Sequence, residues 1–526
     1  MTSVKGYLAF TAMLLCTLSG RIDAATDPLS NVNRLPASLE QVVRQVTGGL
    51  AENGYEVRRG YWALWGSDEC KYTIRVLGRC FGPNPTAPYA VPFLPSWRDE
   101  YVDKTLHNVL GPARRGYSPV FRLAKTEALV ILADMPPPGS YLGLQTYLFT
   151  REAEIPTEDE IFNGVPQDLR EILFATAPNP ARLITWATIG DSNNNVVIEN
   201  QTEMPWESNQ QRFFIVTPDQ ATESDVAQAL MAAGVEKNQI FVEKVAADLV
   251  NLGLDPAADE FQIFLRYVQV PNTEEGDAWR ARLPLTVLRV RYGGASDPSR
   301  PVPYPIPDYE IKTANSELGL AYDLKDLIAT VKERWNQAYA QVLPFAVAEL
   351  PWPDGLDTVG QRCLERPMNC LGDNQDDSFR ISPNISFDTT PIVTDGIAQG
   401  DVVAVVGTLA TATGNATYVS LALNSFPDAI SFGNLTNLDL EGTASAYSAD
   451  VENTGKFYLY YFSRDCAGLT PCQEIPESDV SIGRFLKLTE RNYVRPGTAR
   501  APDASLMLTP SVIVLSHTAL SGQDRR

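Results

Sequence analysis

Leu39, Val42, Val43, Val46 and Leu50 recur at intervals of three and four, which puts them on one face of a helix, and Ser38 with Gln41 makes a capping box at its start. Beyond it the period falls to two. Tyr61, Ala63 and Trp65 read as a strand, as do Tyr72, Ile74 and Val76, then the apolar run Ala128 to Leu132, then Tyr141 to Phe149. Pro136-Pro137-Pro138-Gly139 breaks the chain between the last two.

From 182 to 293 the pattern mixes. Strands are expected near Leu183–Ile189, Phe213–Val216, Ile240–Val245, Phe261–Val270 and Leu283–Tyr292, with a helix from Ser224 to Ala233 closed by Gly234, so that the second and third strands form a βαβ unit. A proline-studded arm, Pro298 to Pro307, reads as extended. Leu324, Leu327, Ile328, Val331 and Trp335 then stripe a helix predicted over Asp323 to Gln341, stopped by Pro344. Residues 351–526 return to strands and turns. The expectation is an α+β chain: a leader over 1–24, a helix plus β-rich module over 25–180, a mixed α/β segment over 181–345 and a second β-rich, sandwich-like module over 351–526.

Two pairs of motifs suggest that the modules are duplicates. Cys80-Phe81-Gly82-Pro83-Asn84 leads to Tyr89, and Cys370-Leu371-Gly372-Asp373-Asn374 leads to Phe379, each with a second cysteine upstream. Further on, Tyr141-Leu142-Gly143-Leu144 leads to Phe149, and Tyr418-Val419-Ser420-Leu421 leads to Phe426. The physical content would be a disulfide pinning a turn, an asparagine in a left-handed or side-chain-capped conformation, and an aromatic residue entering the core as a strand begins. The first copy is longer between its Asn and Tyr, and the Asp99–Ser118 stretch could hold the excess. These motifs, with Pro136-Pro137-Pro138-Gly139 before Tyr141, resemble stretches of exported, mostly bacterial, uncharacterised proteins with C-x-G-x-N turns; the resemblance implies secretion and paired modules and carries over no activity.

Composition adds compartment and excludes partners. Lys5, an apolar stretch from Tyr7 to Leu18 and a polar tail to Asp23 make a signal-peptide pattern with cleavage after Ala24, hence a secreted or periplasmic protein. Cys16 would leave with it, and the other six cysteines fall into the close pairs Cys70/Cys80, Cys363/Cys370 and Cys466/Cys472, read as disulfides; no C-x-x-C spacing suggests zinc. The formal charge of -21 repels nucleic acid and anionic lipid, and no later apolar run approaches membrane length.

Candidate chemistry is sparse. Gly190-Asp191-Ser192-Asn193 has the look of a nucleophilic serine block, with Asp191 and Ser192 as catalytic candidates, but His107 and His517 are the only histidines and Val514 stands where a D-x-x-H partner would need Asp. A tight polar turn is the simpler reading. A carboxylate pair working as in glycoside hydrolysis stays open without a choice among 64 acids. Asp373, Asn374, Asp376 and Asp377 could offer oxygens to Ca²⁺, although Ser378 stands where the helix-loop-helix calcium loop needs glycine. Tyr61, Trp62 and Trp65 could stack on a sugar or fill a core. Nucleotide-cofactor fingerprints are absent. The function expected is therefore an exported binding or interaction protein, with a histidine-free hydrolase as the alternative.

Overall fold

The computed structural model describes residues 33–515, save 82–83, 166, 294–298, 308–310, 336–340, 345, 348–359, 388–391, 395–396, 427 and 467. The predicted leader and His517 lie outside the described residues.

The chain is an α+β protein made of one strand pattern used twice. In the first repeat the strands run side by side in the order Arg182–Thr188, Tyr141–Glu152, Glu260–Val268, Tyr89–Pro95, Tyr55–Trp65, Leu285–Tyr292, Glu127–Asp134, Gln211–Thr217 and Ile240–Lys244. The second repeat gives Ser431–Thr436, Tyr418–Ser425, Leu486–Tyr493, Asp377–Ile381 and Ala346–Val347 in one sheet, then Gln341–Pro344, Ser511–Leu515, Val402–Thr408, Phe457–Ser463 and Cys472–Glu474 in another. Each strand of one set has a counterpart at the same place in the other. All these neighbours are antiparallel except the last pair, which is parallel in both.

The long strand Tyr55–Trp65 explains the shape. Its residues up to Gly60 pair with Leu285–Tyr292, and from Tyr61 onward they pair with Tyr89–Pro95, so the sheet folds over itself at this strand. The inner core then draws Leu129, Ile131, Phe214 and Val287 from one half of the sheet and Trp62, Leu142, Leu148 and Ile263 from the other. That is the sandwich-like packing expected of alternating strands. On the outside, Leu39, Val43, Val46 and Leu50 of the Ala37–Glu52 helix cover Ala128, Val130 and Leu132. Leu324, Leu327 and Val331 of the Ala321–Arg334 helix cover Val402, Ala404 and Val406 in the same manner.

Four expectations need correcting. Ser38 and Gln41 make no capping box: the helix starts at Ala37 after Pro36 without a side-chain cap, and Ser38 Oγ accepts from Gln211 Nε2 at 2.8 Å instead. The segment 181–345 is no separate body: Glu260–Val268 lies between Tyr141–Glu152 and Tyr89–Pro95, so the first repeat continues to Tyr292, and the Ala321 helix already opens the second. Local periodicity cannot reveal pairing between strands so far apart in sequence. Tyr72, Ile74 and Val76 lie on a helix, Cys70–Leu77, because Cys70 and Thr73 bury one face and Gly78, at φ 77°, closes the end in the left-handed region. The stripe from Leu324 ends at Arg334, and Gln341 belongs to a strand paired with Ser511–Leu515. The βαβ unit is present, its Gln220–Ala232 helix starting earlier than expected because Asp219 caps it.

Candidate functional site

The two motif turns meet where the repeats pack together. Phe81 and Leu371, each next to a disulfide cysteine, take positive φ of 65° and 58°. In the second turn the left-handed stretch continues into the motif glycine, Gly372, at φ 70°. Asn84 Oδ1 then accepts from Thr86 N at 3.2 Å and Asn374 Oδ1 from Asp376 N at 3.0 Å, the side-chain-capped alternative. Thr86 and Asp376 are therefore counterparts, and each reaches across. Tyr141 donates its hydroxyl to Asp376 Oδ2 at 2.7 Å, while Thr86 and Tyr418 share a hydrogen bond between their hydroxyls. Cys80 N donates to Asp428 O and Cys370 N to Thr185 O, both at 2.7 Å. Ala87, Tyr141, Val268, Tyr418, Tyr493 and Val494 form one buried cluster drawn from both repeats. The six paired cysteines are bonded as Cys70–Cys80, Cys363–Cys370 and Cys466–Cys472.

This seam also joins the two groups of acids and hydroxyls singled out in the sequence. Ser192 donates its hydroxyl to Asp376 Oδ2 at 2.6 Å and is 3% exposed. Asp191 accepts from Ser192 N at 2.9 Å and pairs with Arg500 of the second repeat. Gly190 is glycine because a Cβ would lie 2.9 Å from Glu243 Cγ and 3.1 Å from Lys244 O, so the turn wedges against the last strand of the first repeat. The Gly190–Asn193 turn is thus a joint between sheet edge and second repeat. Asp373 is held by Thr188 N at 2.9 Å, Thr188 Oγ1 at 2.6 Å and Gly360 N at 2.8 Å. Among the described residues no group of three or more acidic, histidine or cysteine side chains is arranged to hold a metal.

Burial sets the electrostatics here. It pushes the carboxyl of Asp376 up, against the hydrogen bonds from Ser192 and Tyr141. It raises Asp377 to about 7, opposed by Arg491, Lys312 and Arg266, and Asp373 to about 6. Glu243 is pushed up to about 8 by burial, its oxygens taking Thr146 N and Thr146 Oγ1, both at 2.7 Å. Asp376 Oδ1, Asp377 Oδ1 and Arg266 Nη1 are shut from solvent and have no hydrogen-bonding partner among the described residues. Ordered water is the ordinary occupant of such positions.

A solvent-facing cleft of about 310 Å³ lies elsewhere, lined by Asn33, Arg59, Gly60, Tyr61, Arg114, Tyr117 and Thr286. It opens where Tyr55–Trp65 changes partner. Asn33 occupies the strand edge left bare there, donating to Trp62 O at 2.9 Å and accepting from Trp62 N. Tyr61 stacks on Phe93 with centroids 5.0 Å apart, and the Arg114 guanidinium lies 4.3 Å over its ring. Arg114 N donates to Tyr61 Oη at 3.0 Å. Arg59 gives Nε to Thr286 Oγ1 at 2.9 Å and both terminal nitrogens to Glu40.

Of the three aromatic residues suggested as a sugar platform, Trp62 and Trp65 are core at 0% and 2% exposure, and Tyr61 alone lines the cleft. Arg59, Arg114, Tyr117, Asn33 and Thr286 carried no motif; the available signals were the Arg58-Arg59 and Arg114-Arg115 pairs in a chain so acidic. His107 sits half-buried in the connection between strands.

No known protein family matches the chain, and no curated protein does. Among solved structures it is similar to an uncharacterised protein from Burkholderia cenocepacia, with a TM-score of 0.37 and 10% identity over 91% of this chain and 87% of that one. The VPA0106 protein from Vibrio parahaemolyticus gives a TM-score of 0.33 and 10% identity over 91% of this chain and 96% of its own. Likeness at this level carries neither fold nor function.

Proposed function

We propose that the chain is an exported binding protein and that the cleft at Tyr61, Arg114 and Tyr117 is where it takes a small ligand. The observation that carries this reading is the cleft itself, a solvent-facing recess of about 310 Å³ with several polar side chains converging on it. The seam acids suit a different task. Asp376 is buried and accepts at Oδ2 from the hydroxyls of Tyr141 and Ser192, and Asp373 is taken up by three donors, whereas a carboxylate hydrolase needs two acids facing one accessible space. Export is supported by the charge, apolar stretch and polar tail of the first 24 residues and by three disulfides. Among the described residues no helix is long and apolar enough to cross a membrane.

The test is a thermal-shift screen of the full chain against sugars, amino acids, nucleotides and organic acids, run beside the cleft-filling variant Tyr117→Trp. A compound that raises the melting temperature of the wild type and not of the variant is expected. Compounds that shift both equally, or a hydrolytic activity abolished by Asp376→Asn, would overturn the reading.

A further inference from the structure

We infer that this cleft is built for a small ligand bearing a carboxylate or phosphate, docked on the Arg114 guanidinium and the hydroxyls of Tyr61 and Tyr117. The inference rests on the binding reading above. Its first support is the difference between the repeats. Ala63 pairs with Val91 and Ala346 pairs with Ile381, while Tyr89 and Phe379 lie opposite the counterpart residues Arg266 and Arg491. The registers therefore make Ala63 the counterpart of Ala346, Tyr61 of Pro344 and Arg59 of Val342. Thr286 corresponds to Ser511, since Gly60 faces Val287 and Leu343 faces Val512. Arg114 and Tyr117 lie in the connection 96–126, where the second repeat runs a different path through Asn384–Phe387 and Ile397–Gly400. The same strand order thus forms without Arg59, Tyr61, Arg114 or Tyr117. A converging polar set that the sheet does not need is what a recognition site looks like.

The second support is the balance of donors and acceptors. The charge of Arg59 is answered by Glu40, whose carboxyl is held low by that contact. Arg114 is exposed, and among the described residues no carboxylate pairs with it. Tyr61 Oη accepts the Arg114 N–H, which leaves its own proton to donate, and among the described residues the Tyr117 hydroxyl has no hydrogen-bonding partner. Unanswered donors and one unanswered cation call for an acceptor-rich anion. On a protein of net charge -21, an anion is otherwise repelled, so a local guanidinium decides where it can settle. At about 310 Å³ the recess suits one sugar ring or one amino acid.

Isothermal titration of the full chain with glucose, glucuronate, glucose 6-phosphate and inorganic phosphate, at about 50 and about 300 mM salt, tests this. Glucuronate or glucose 6-phosphate should bind at least about tenfold more tightly than glucose, and more weakly at the higher salt. Which of the two wins separates carboxylate from phosphate, and inorganic phosphate shows whether the ring contributes. Arg114→Gln should lose about tenfold or more, and Arg114→Lys, which keeps the charge but not the planar fork stacked on Tyr61, should lose less than Arg114→Gln. Glucose binding as tightly as glucuronate, or Arg114→Gln binding unchanged, would overturn the anion and leave the binding function standing. If none of the four binds, the anion inference falls, and the library screen with Tyr117→Trp decides the binding function separately.

Discussion

Arg266 and Arg491 stand at the same point of two copies of one sheet. Arg266 faces Gly143 on one side and Tyr89 on the other, and Arg491 faces Ser420 and Phe379. Each guanidinium lies over the aromatic ring of its neighbour, at 4.8 Å for Tyr89 and 5.2 Å for Phe379. Around them the repeats differ where they cross, with Thr86 against Asp376, Ala87 against Asp377 and Val268 against Tyr493. The buried acids of the crossing turns, Asp376 and Asp377, therefore come from the second repeat, which has them where the first has Thr86 and Ala87.

The crossing contacts should be unequal in strength. Tyr141→Phe removes a donor to a buried carboxylate and is expected to cost about 1.5–3 kcal/mol, while Tyr418→Phe breaks a hydroxyl–hydroxyl bond worth about 0.5–1.5 kcal/mol. Urea denaturation of the two variants gives the comparison. A larger loss for Tyr418→Phe would show that Asp376 does not depend on Tyr141.

Stability should fall as pH rises from 5 to 9. Glu243, Asp377 and Asp373 have folded values raised by burial to about 8, about 7 and about 6. The folded chain thus holds protons that the unfolded chain, with carboxyls near 4, has already released. Each such acid is without penalty below the unfolded value and costs most above the folded one. Glu243→Gln keeps an acceptor for Thr146 N and removes the charge, so at pH 9 it should stabilise by at least about 1.4 kcal/mol, the equivalent of one pKa unit. Thermal melts across the range should show a flatter profile for the variant; an unchanged profile would mean that Glu243 does not titrate there.

Ser192 should be inert to fluorophosphonate probes. Its oxygen is buried and donates to Asp376, and no histidine among the described residues contacts it. Stoichiometric labelling at Ser192, read by peptide mass, would restore the hydrolase alternative.

Unreduced peptide mapping should recover Cys70–Cys80, Cys363–Cys370 and Cys466–Cys472. The sequence separations of 10, 7 and 6 close short loops, so each bond should contribute about 2–3 kcal/mol. Replacing Cys363 and Cys370 together by alanine, followed by urea denaturation, measures one of them; a change below about 0.5 kcal/mol would contradict the loop-closure argument.

The duplication was legible because the motif residues do the same physical work twice. Tyr141 and Tyr418 open counterpart strands, lying opposite Val268 and Tyr493, and Asn84 and Asn374 close counterpart turns. The longer first connection, 96–126, falls where the spacing of those motifs placed it. Helical stripes were legible for the same reason that they pack, one apolar face per helix. What stayed hidden depends on distant pairing. Ser192 meets Asp376 only because two sheets cross, and the cleft takes Asn33, Arg59, Arg114 and Thr286 from four separate segments with no shared period. Trp62 and Trp65 fill the core, the reading an alternating strand favours, although they point to opposite faces and join different clusters, because both faces of the strand are covered there.

The crossed seam also has a consequence for how the chain is made. Synthesis delivers the first repeat with Thr86, Tyr141 and Ser192 in place before Asp376 and Tyr418 exist. At about 5–20 residues per second, that face waits on the order of ten seconds or more for its match. Through that interval Ala87, Tyr141 and Val268 lack the cover that Tyr418, Tyr493 and Val494 give them in the complete fold. A nascent chain of this design is most open to aggregation and to holding chaperones midway through translation, and a ribosome that stalls between the repeats would leave a half-molecule with its sticky side outward.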